Sequence, residues 1–297
     1  YALYLDPSKS DFLWQAWPPQ KPELAYYRLT DLNADQLRDF NPKHYPLPDY
    51  SIAEIYPKQW EGIAFPVNRL SIVLDKSGFS NLTAVKEKLQ AAEIDIAFEW
   101  DHRFNINYYI KLINYWIYCG VTHFSFYNLT DFAVWQRLQQ FLLAEKFYFY
   151  DRYHACLRGH ESRYQKHLAH SGNLMAIGGW SRWTENGHTK TRGPKDQDWT
   201  MLSPDEAERE RLFFALSDRA GLPVADLSPR GVIRVVNTGY AVGEEGILRP
   251  TDKGLWDNVE LVARLLQDEA FFNCRTGLMG ESIFKEISDD RCRSGGF

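Results

Sequence analysis

From residue 68 onward the apolar positions fall in short blocks that alternate between two spacings. "NRLSIVLD" and "EIDIAFEW" are compact apolar runs of strand type, and "NLTAVKEKLQAA" between them sets Leu82, Val85 and Leu89 at helical spacing. Ile106 to Cys119 is a dense apolar helix stopped by Gly120, and "VTHFSFY" is the strand after it. "TDFAVWQRLQQFLLAEK" places Val134, Leu138, Phe141 and Leu142 on one helical face, and "FYFYD" follows. Strands alternating with helices predict parallel βαβ units. Residues 68 to 151 are therefore expected to form a Rossmann-like α/β layer, a mostly parallel sheet with helices on both faces. Val121 to Tyr127 is expected at its centre, with Phe124 and Phe126 buried on opposite faces.

The flanks read differently. Residues 1 to 66 show no sustained period and interleave Pro7, Pro18, Pro19, Pro22, Pro42, Pro46, Pro48 and Pro57 with Trp14, Trp17, Tyr26, Tyr27 and Trp60. Proline breaks helices and removes ladder donors, while disordered tails are poor in aromatics. The segment is expected to be an extended arm laid on a surface, through which protein partners bind, with one short helix at "NADQLRDF" capped by Asn33. Residues 67 to 297 are expected to be a single α/β domain, with an irregular insertion at about 152 to 202. Beyond it, "SPDEAERERLFFALSDRAG" predicts a helix capped by Ser203 with Pro204 in its first turn, "GVIRVVN" a strand, and "LWDNVELVARLLQDEA" a helix.

Composition narrows the function classes. The 297 residues carry a formal charge of −5 and no basic block, which excludes nucleic-acid binding as the main activity. Cys119, Cys156, Cys274 and Cys292 lack CxxC spacing, against a zinc knuckle or a disulfide scaffold. The apolar run from Ile106 to Phe126 is interrupted by Asn107, Lys111, Asn114 and His123, too polar for a transmembrane segment. The chain opens at Tyr1 rather than methionine, as a trimmed form does, and its compartment is unknown. Ten Trp, 17 Tyr and 18 Phe suit broad cores, interfaces and stacking platforms alike.

Ligands of open α/β sheets sit at the carboxyl ends of the strands. Those ends offer Asp101 and His102, then Asn128, Thr130 and Asp131, then Asn237, Gly239, Gly243 and Glu244. Asp101 and Asp131 are the candidate catalytic acids, and Asn128, Asn237 and Gly239 the candidate cofactor contacts. Asp131 also suits the N-cap of the helix that follows, and the glycines match neither GxGxxG nor a P-loop. Asp196 and Asp198 form the one Asp-x-Asp of the chain, a pairing that can hold Mn or Mg bridging a diphosphate. His154, His160, His167 and His170 cluster within "HACLRGHESRYQKHLAH" without a third ligand at defined spacing, and read as surface residues.

Residues 103 to 157 resemble the family 92 type of glycosyltransferase. The match runs through Tyr115, Gly120, Val121, His123, Phe124, Tyr127, Asn128 and Asp131, then "VWQRLQQFL", "FYFY" and "HACL". That resemblance implies a nucleotide-sugar fold of the GT-A kind and transfer of a sugar from a nucleotide-activated donor with Mn or Mg. The family's acidic metal motif belongs soon after "HACL", where this chain reads "RGHESRYQKHLAHSGNLMAIGGW", and Asp196 and Asp198 come later. The same helix, glycine and strand also look like accessory subunits of cis-prenyltransferases, with "IDIAFEWDHR" as first strand. Two expectations follow: a metal-dependent sugar transferase, or a non-catalytic accessory subunit of a larger assembly, derived from an enzyme fold.

Overall fold

The computed structural model describes residues 2–6, 22–33, 36, 48–57, 59, 67–74, 93–170, 172–177, 179–193 and 198–267. The chain divides into two compact units: Tyr1–Phe149, Tyr153–Leu168 and Gly172–Leu202 form the first, and Tyr150–Arg152, Ala169–Ser171 and Ser203–Phe297 the second. The boundary near Ser203 separates what the sequence suggested was one domain.

The first unit is built on a twelve-stranded, mostly parallel sheet. Its parallel strands are β1 (Ala2–Leu5), β2 (Leu24–Arg28), β3 (Tyr50–Ile55), β4 (Arg69–Leu74), β5 (Glu93–Glu99) and β6 (His123–Tyr127). Each pairs with the next in chain order. Helix α1 (Ile106–Tyr118) connects β5 to β6, and α2 (Phe132–Ala144) leads on to β7 (Tyr148–Phe149). Strand β8 (His154–Cys156) returns antiparallel between β6 and β7. After the short helix α3 (Arg163–Ala169), β9 (Leu174–Ile177) pairs in parallel with the free edge of β1. Strands β10 (Ser181–Glu185), β11 (His188–Arg192) and β12 (Thr200–Met201) extend that side antiparallel.

Several expectations change here. The supposed arm supplies three buried strands, β1 to β3, because their short apolar runs are covered once neighbours pair on both sides. At these residues the chain is sheet rather than an extended arm. The insertion at 152 to 202 likewise contributes β8 to β12 and α3. The order from β1 to β6 never reverses, so the sheet lacks the switch point of a Rossmann fold. The predicted helix around Leu82 lies outside the described residues. At residue 33, Gln36 N–H donates to Asn33 Oδ1 and Asn33 N–H donates to Gln36 Oε1, while most of the short helix expected there lies outside the described residues.

Strand β6 is parallel to β5 but not central: it ends the parallel run, third from one edge, with β8 antiparallel on its other side, and both phenylalanines are fully buried. They lie on the same face, since residues two apart on a strand point the same way. Phe98 of β5 stacks on both at 6.1 and 5.8 Å. Tyr109 of α1 meets Phe98 edge-on, and Trp135 of α2 packs on Phe149, itself against Phe126. This aromatic layer is the core beneath the crossover helices. Asn105 caps α1 through Asn107 N–H, and the chain leaves the helix through Gly120 at φ 86.

In the second unit, α4 (Pro204–Ala215) starts on a capping box between Ser203 and Glu206, as the sequence predicted. A three-stranded sheet orders β13 (Leu222–Pro223), β15 (Ile247–Pro250) and β14 (Ala241–Glu244). Residues 231–237, expected as a strand, are helical: α5 (Pro229–Asn237) begins on a Ser228 cap with Pro229 in its first turn. Gly231 lets α5 approach α7 (Asn258–Leu266), for a Cβ there would stand 2.2 Å from the Leu265 carbonyl oxygen. The short α6 (Asp252–Trp256) precedes α7, and Leu212, Leu216, Val235, Leu248, Leu261 and Leu265 form this unit's core.

Candidate functional site

The strands that bury phenylalanines on one face carry a polar set on the other. Strand pairing aligns Arg28 with Glu54, Glu54 with Ser71, Ser71 with Asp95, and Asp95 with His123. One continuous row of polar side chains thus crosses β2 to β6. Every member is buried, from 8% exposure at Arg28 to 1% at His123. Burying charges is costly unless each is paired, and the pairing is dense.

Asp95 is the hub of one half. Its Oδ1 lies 2.5 Å from His123 Nδ1, Ser71 donates to Oδ2 at 2.7 Å, and Ser125 Oγ reaches both oxygens at 3.2 and 3.0 Å. Burial alone would raise the Asp95 carboxyl, but the charge and hydrogen bond of His123, the Ser71 hydroxyl and the Arg69 charge together hold it below the usual range. Burial pushes His123 down, and the pull of Asp95 does not restore it. The close contact at Nδ1 orients the His123 ring on the Asp95 carboxylate. His154 of β8 stands beside it, ring centroids 5.9 Å apart. This histidine, read from sequence as a surface group, is buried.

Glu54 is the hub of the other half. Tyr26 donates to its Oε2 at 2.5 Å and Tyr127 at 3.0 Å, while Arg28 Nε stands 3.8 Å from Oε1. Burial would lower the Arg28 guanidinium, but the charges around it, Glu54, Asp31 and Asp6 among them, raise it above its ordinary value. Towards the amino ends of the strands, Arg69 binds Glu93 at 2.6 Å and the His160 carbonyl at 3.0 Å. There α3 closes the polar face, with Tyr164 on Tyr26 at 4.9 Å and Arg163 over the Tyr50 ring.

Most residues singled out in the sequence lie elsewhere. Asp101 follows β5, at a carboxyl end as expected, and its carboxylate is engaged by Arg103 at 2.6 Å. Its neighbour His102 meets Thr130 at 3.2 Å, so the β5 and β6 ends do come together. Asn128 closes β6 in the left-handed region at φ 61, which asparagine tolerates. Asp131 is the N-cap of α2, accepting from Ala133 and Val134 N–H. Asn237 ends helix α5 rather than a strand, and Gly239 is its stop at φ 73, with Gly239 N–H to Val236 and Tyr240 N–H to Val235. Both belong to the second unit. Asp196 lies outside the described residues; Asp198 is exposed just before edge strand β12. No group of three or more His, Cys, Asp or Glu able to hold a metal occurs among the described residues.

The polar row was legible in principle. "RLSIVL", "EIDIAFE" and "HFSFY" alternate polar with apolar residues, putting Ser71, Asp95, His123 and Ser125 on one side. Reading the runs as uniformly apolar hid them.

No family model and no curated protein sequence matches the chain. Among solved structures it is similar to coproporphyrinogen III oxidase (HemN) from Escherichia coli, described as a radical SAM enzyme. The TM-score is 0.58 at 10% identity, over 82% of this chain and 77% of that one. The likeness establishes an α/β fold with a large, mostly parallel sheet, of the partial-barrel kind. Radical chemistry with SAM draws on an iron–sulfur cluster, held by closely placed thiolates. Here Cys119 caps α1, Cys156 is buried in β8, and Cys274 and Cys292 lie far along the chain. Among the described residues, Cys119 and Cys156 by themselves do not make up such a thiolate set.

Proposed function

We propose that this chain is the core of an enzyme that moves a proton on a small polar substrate held over the polar face, with Asp95 and His123 as its acid–base couple. A single observation supports this reading. Buried faces of parallel α/β sheets are ordinarily filled with branched apolar side chains, and here one buried face carries Arg28, Glu54, Ser71, Asp95 and His123 in one register. An imidazole oriented by a carboxylate is a common form of general base.

Solvent exchange tests it without knowledge of the full reaction. A panel of hydroxy acids, amino acids and ketoses is incubated with the protein in D2O and followed by proton NMR. Deuterium entering one substrate class, and lost in both Asp95→Asn and His123→Gln, is the expected result. No exchange anywhere in the panel, or exchange unchanged in those variants, overturns it.

A non-catalytic accessory role is favoured by one feature: both oxygens of Asp95, and Oε2 of Glu54, are already engaged by neighbours. Glycosyl transfer keeps as support Asp101 and Asn128 beside the β5 and β6 ends. It requires Mn- or Mg-dependent binding of a nucleoside diphosphate that is abolished by changing Asp196 and Asp198 to Asn, which calorimetric titration reads directly.

A further inference from the structure

Helices α1 and α5 stop by the same device, a left-handed residue after the cap whose N–H, with that of its successor, closes on the last turn. Gly120 and Gly239 occupy that position. Helix α2 stops the same way, with Lys146 N–H to the Leu143 carbonyl and Phe147 N–H to Leu142. Its left-handed residue is a lysine, at φ 69. Glycine is the unstrained choice there, and a long side chain costs about 1 kcal/mol. Backbone strain held at a site where it could be relieved by one substitution points to work done by the side chain.

Lys146 lines a pocket of about 450 Å³, together with Leu143, Phe147, Tyr148, Leu157 and Arg158. It lies at the start of β7 and the end of β8, the amino edge of the sheet. The volume is that of a small-molecule site. Two cations border it, and no acid is among its described lining residues. Neither the Lys146 nor the Arg158 side chain has an ion-pair or hydrogen-bond partner among the described residues, while the nearby Glu161 is occupied by Tyr148. Leu143, 54% exposed, gives the pocket an apolar wall.

We infer that this pocket binds a small anionic amphiphile, a carboxylate or phosphate on an apolar body, with Lys146 and Arg158 on the anionic group and Leu143, Phe147 and Leu157 against the body. It is separate from the polar row and does not depend on the acid–base reading.

The test is calorimetric titration of the whole chain with octanoate and octyl phosphate, kept below their micellar concentrations, and with octanol and acetate as controls. Saturable binding of at least one octyl anion is expected, with neither control matching it. The octyl pair tells carboxylate from phosphate recognition. Lys146→Gly and Arg158→Gln should each weaken binding about fivefold, and the double variant more, as loss of charged hydrogen bonds does. Lys146→Gly relieves the backbone, so lost binding there cannot be ascribed to misfolding. Octanol binding as well as the anions, or anion binding unchanged in the double variant, overturns the assignment.

Discussion

The two faces of β5 and β6 are made by alternate residues of the same few strands, yet they follow opposite rules. On one, Phe98, Phe124 and Phe126 stack under α1 and α2, where burial is favourable in itself. On the other, Asp95, His123 and Ser125 are as deeply buried, and each is tolerable only because its neighbours satisfy it. The apolar face can lose a contact and keep a smaller one. Removing a member of the polar face strands its partners.

The largest effect should come from the apolar side. Phe124→Ala is expected to cost about 3–5 kcal/mol in chemical denaturation, through lost burial and the cavity left behind. Asp95→Ala should cost about 3 kcal/mol, because His123, Ser71 and Ser125 lose their acceptor. The faces separate in the double variant: adding His123→Leu to Asp95→Ala should recover part of that loss, whereas a second truncation on the phenylalanine face should only add to it. A double-mutant cycle measures both.

Acid should also act on one face alone. The folded pKa of His123 lies below its ordinary value of 6.5, so as pH falls below 6.5 the unfolded chain takes up the proton first and stability declines. Asp95, likewise held low, adds a further loss as pH falls through the carboxylate range. Urea melts from pH 8 to pH 4 should show this decline, and His123→Gln should remove its upper step. Asp131→Ala should cost about 1 kcal/mol, the worth of an N-cap, with no change in solvent exchange. Asp198→Asn, at an exposed position, should change stability by less than about 0.5 kcal/mol.

Where a run of residues carried its own local logic, the fold could be read from it. Asp131 and Ser203 mark helix starts by side-chain chemistry that acts over three residues, and Gly120 marks a stop. Strands β1 to β3 were not legible, because a strand buried by neighbours on both sides is defined by pairing, which no local pattern records. "GVIRVVN" failed for the opposite reason: its β-branched residues favour a strand, but the Ser228 and Pro229 start and a close contact with α7 hold it helical. The polar row was half visible as alternation within each strand. Its register across five strands, which turns separate polar residues into one site, is a tertiary fact.

The unreversed strand order bears on how the molecule is made. Strands β2 to β6 each find their neighbour in the strand just before, so the sheet can grow in the direction of synthesis, each new strand docking on an edge already present. The exception is β1, whose outer edge waits for β9, from Ala2 to Leu174. That closure spans most of the first unit and carries the largest loop entropy of any strand pair here. Until it forms, a nascent chain keeps the outer edge of β1 unpaired as well as the growing edge, and an edge of that kind is where a chaperone, or a second nascent copy, would attach.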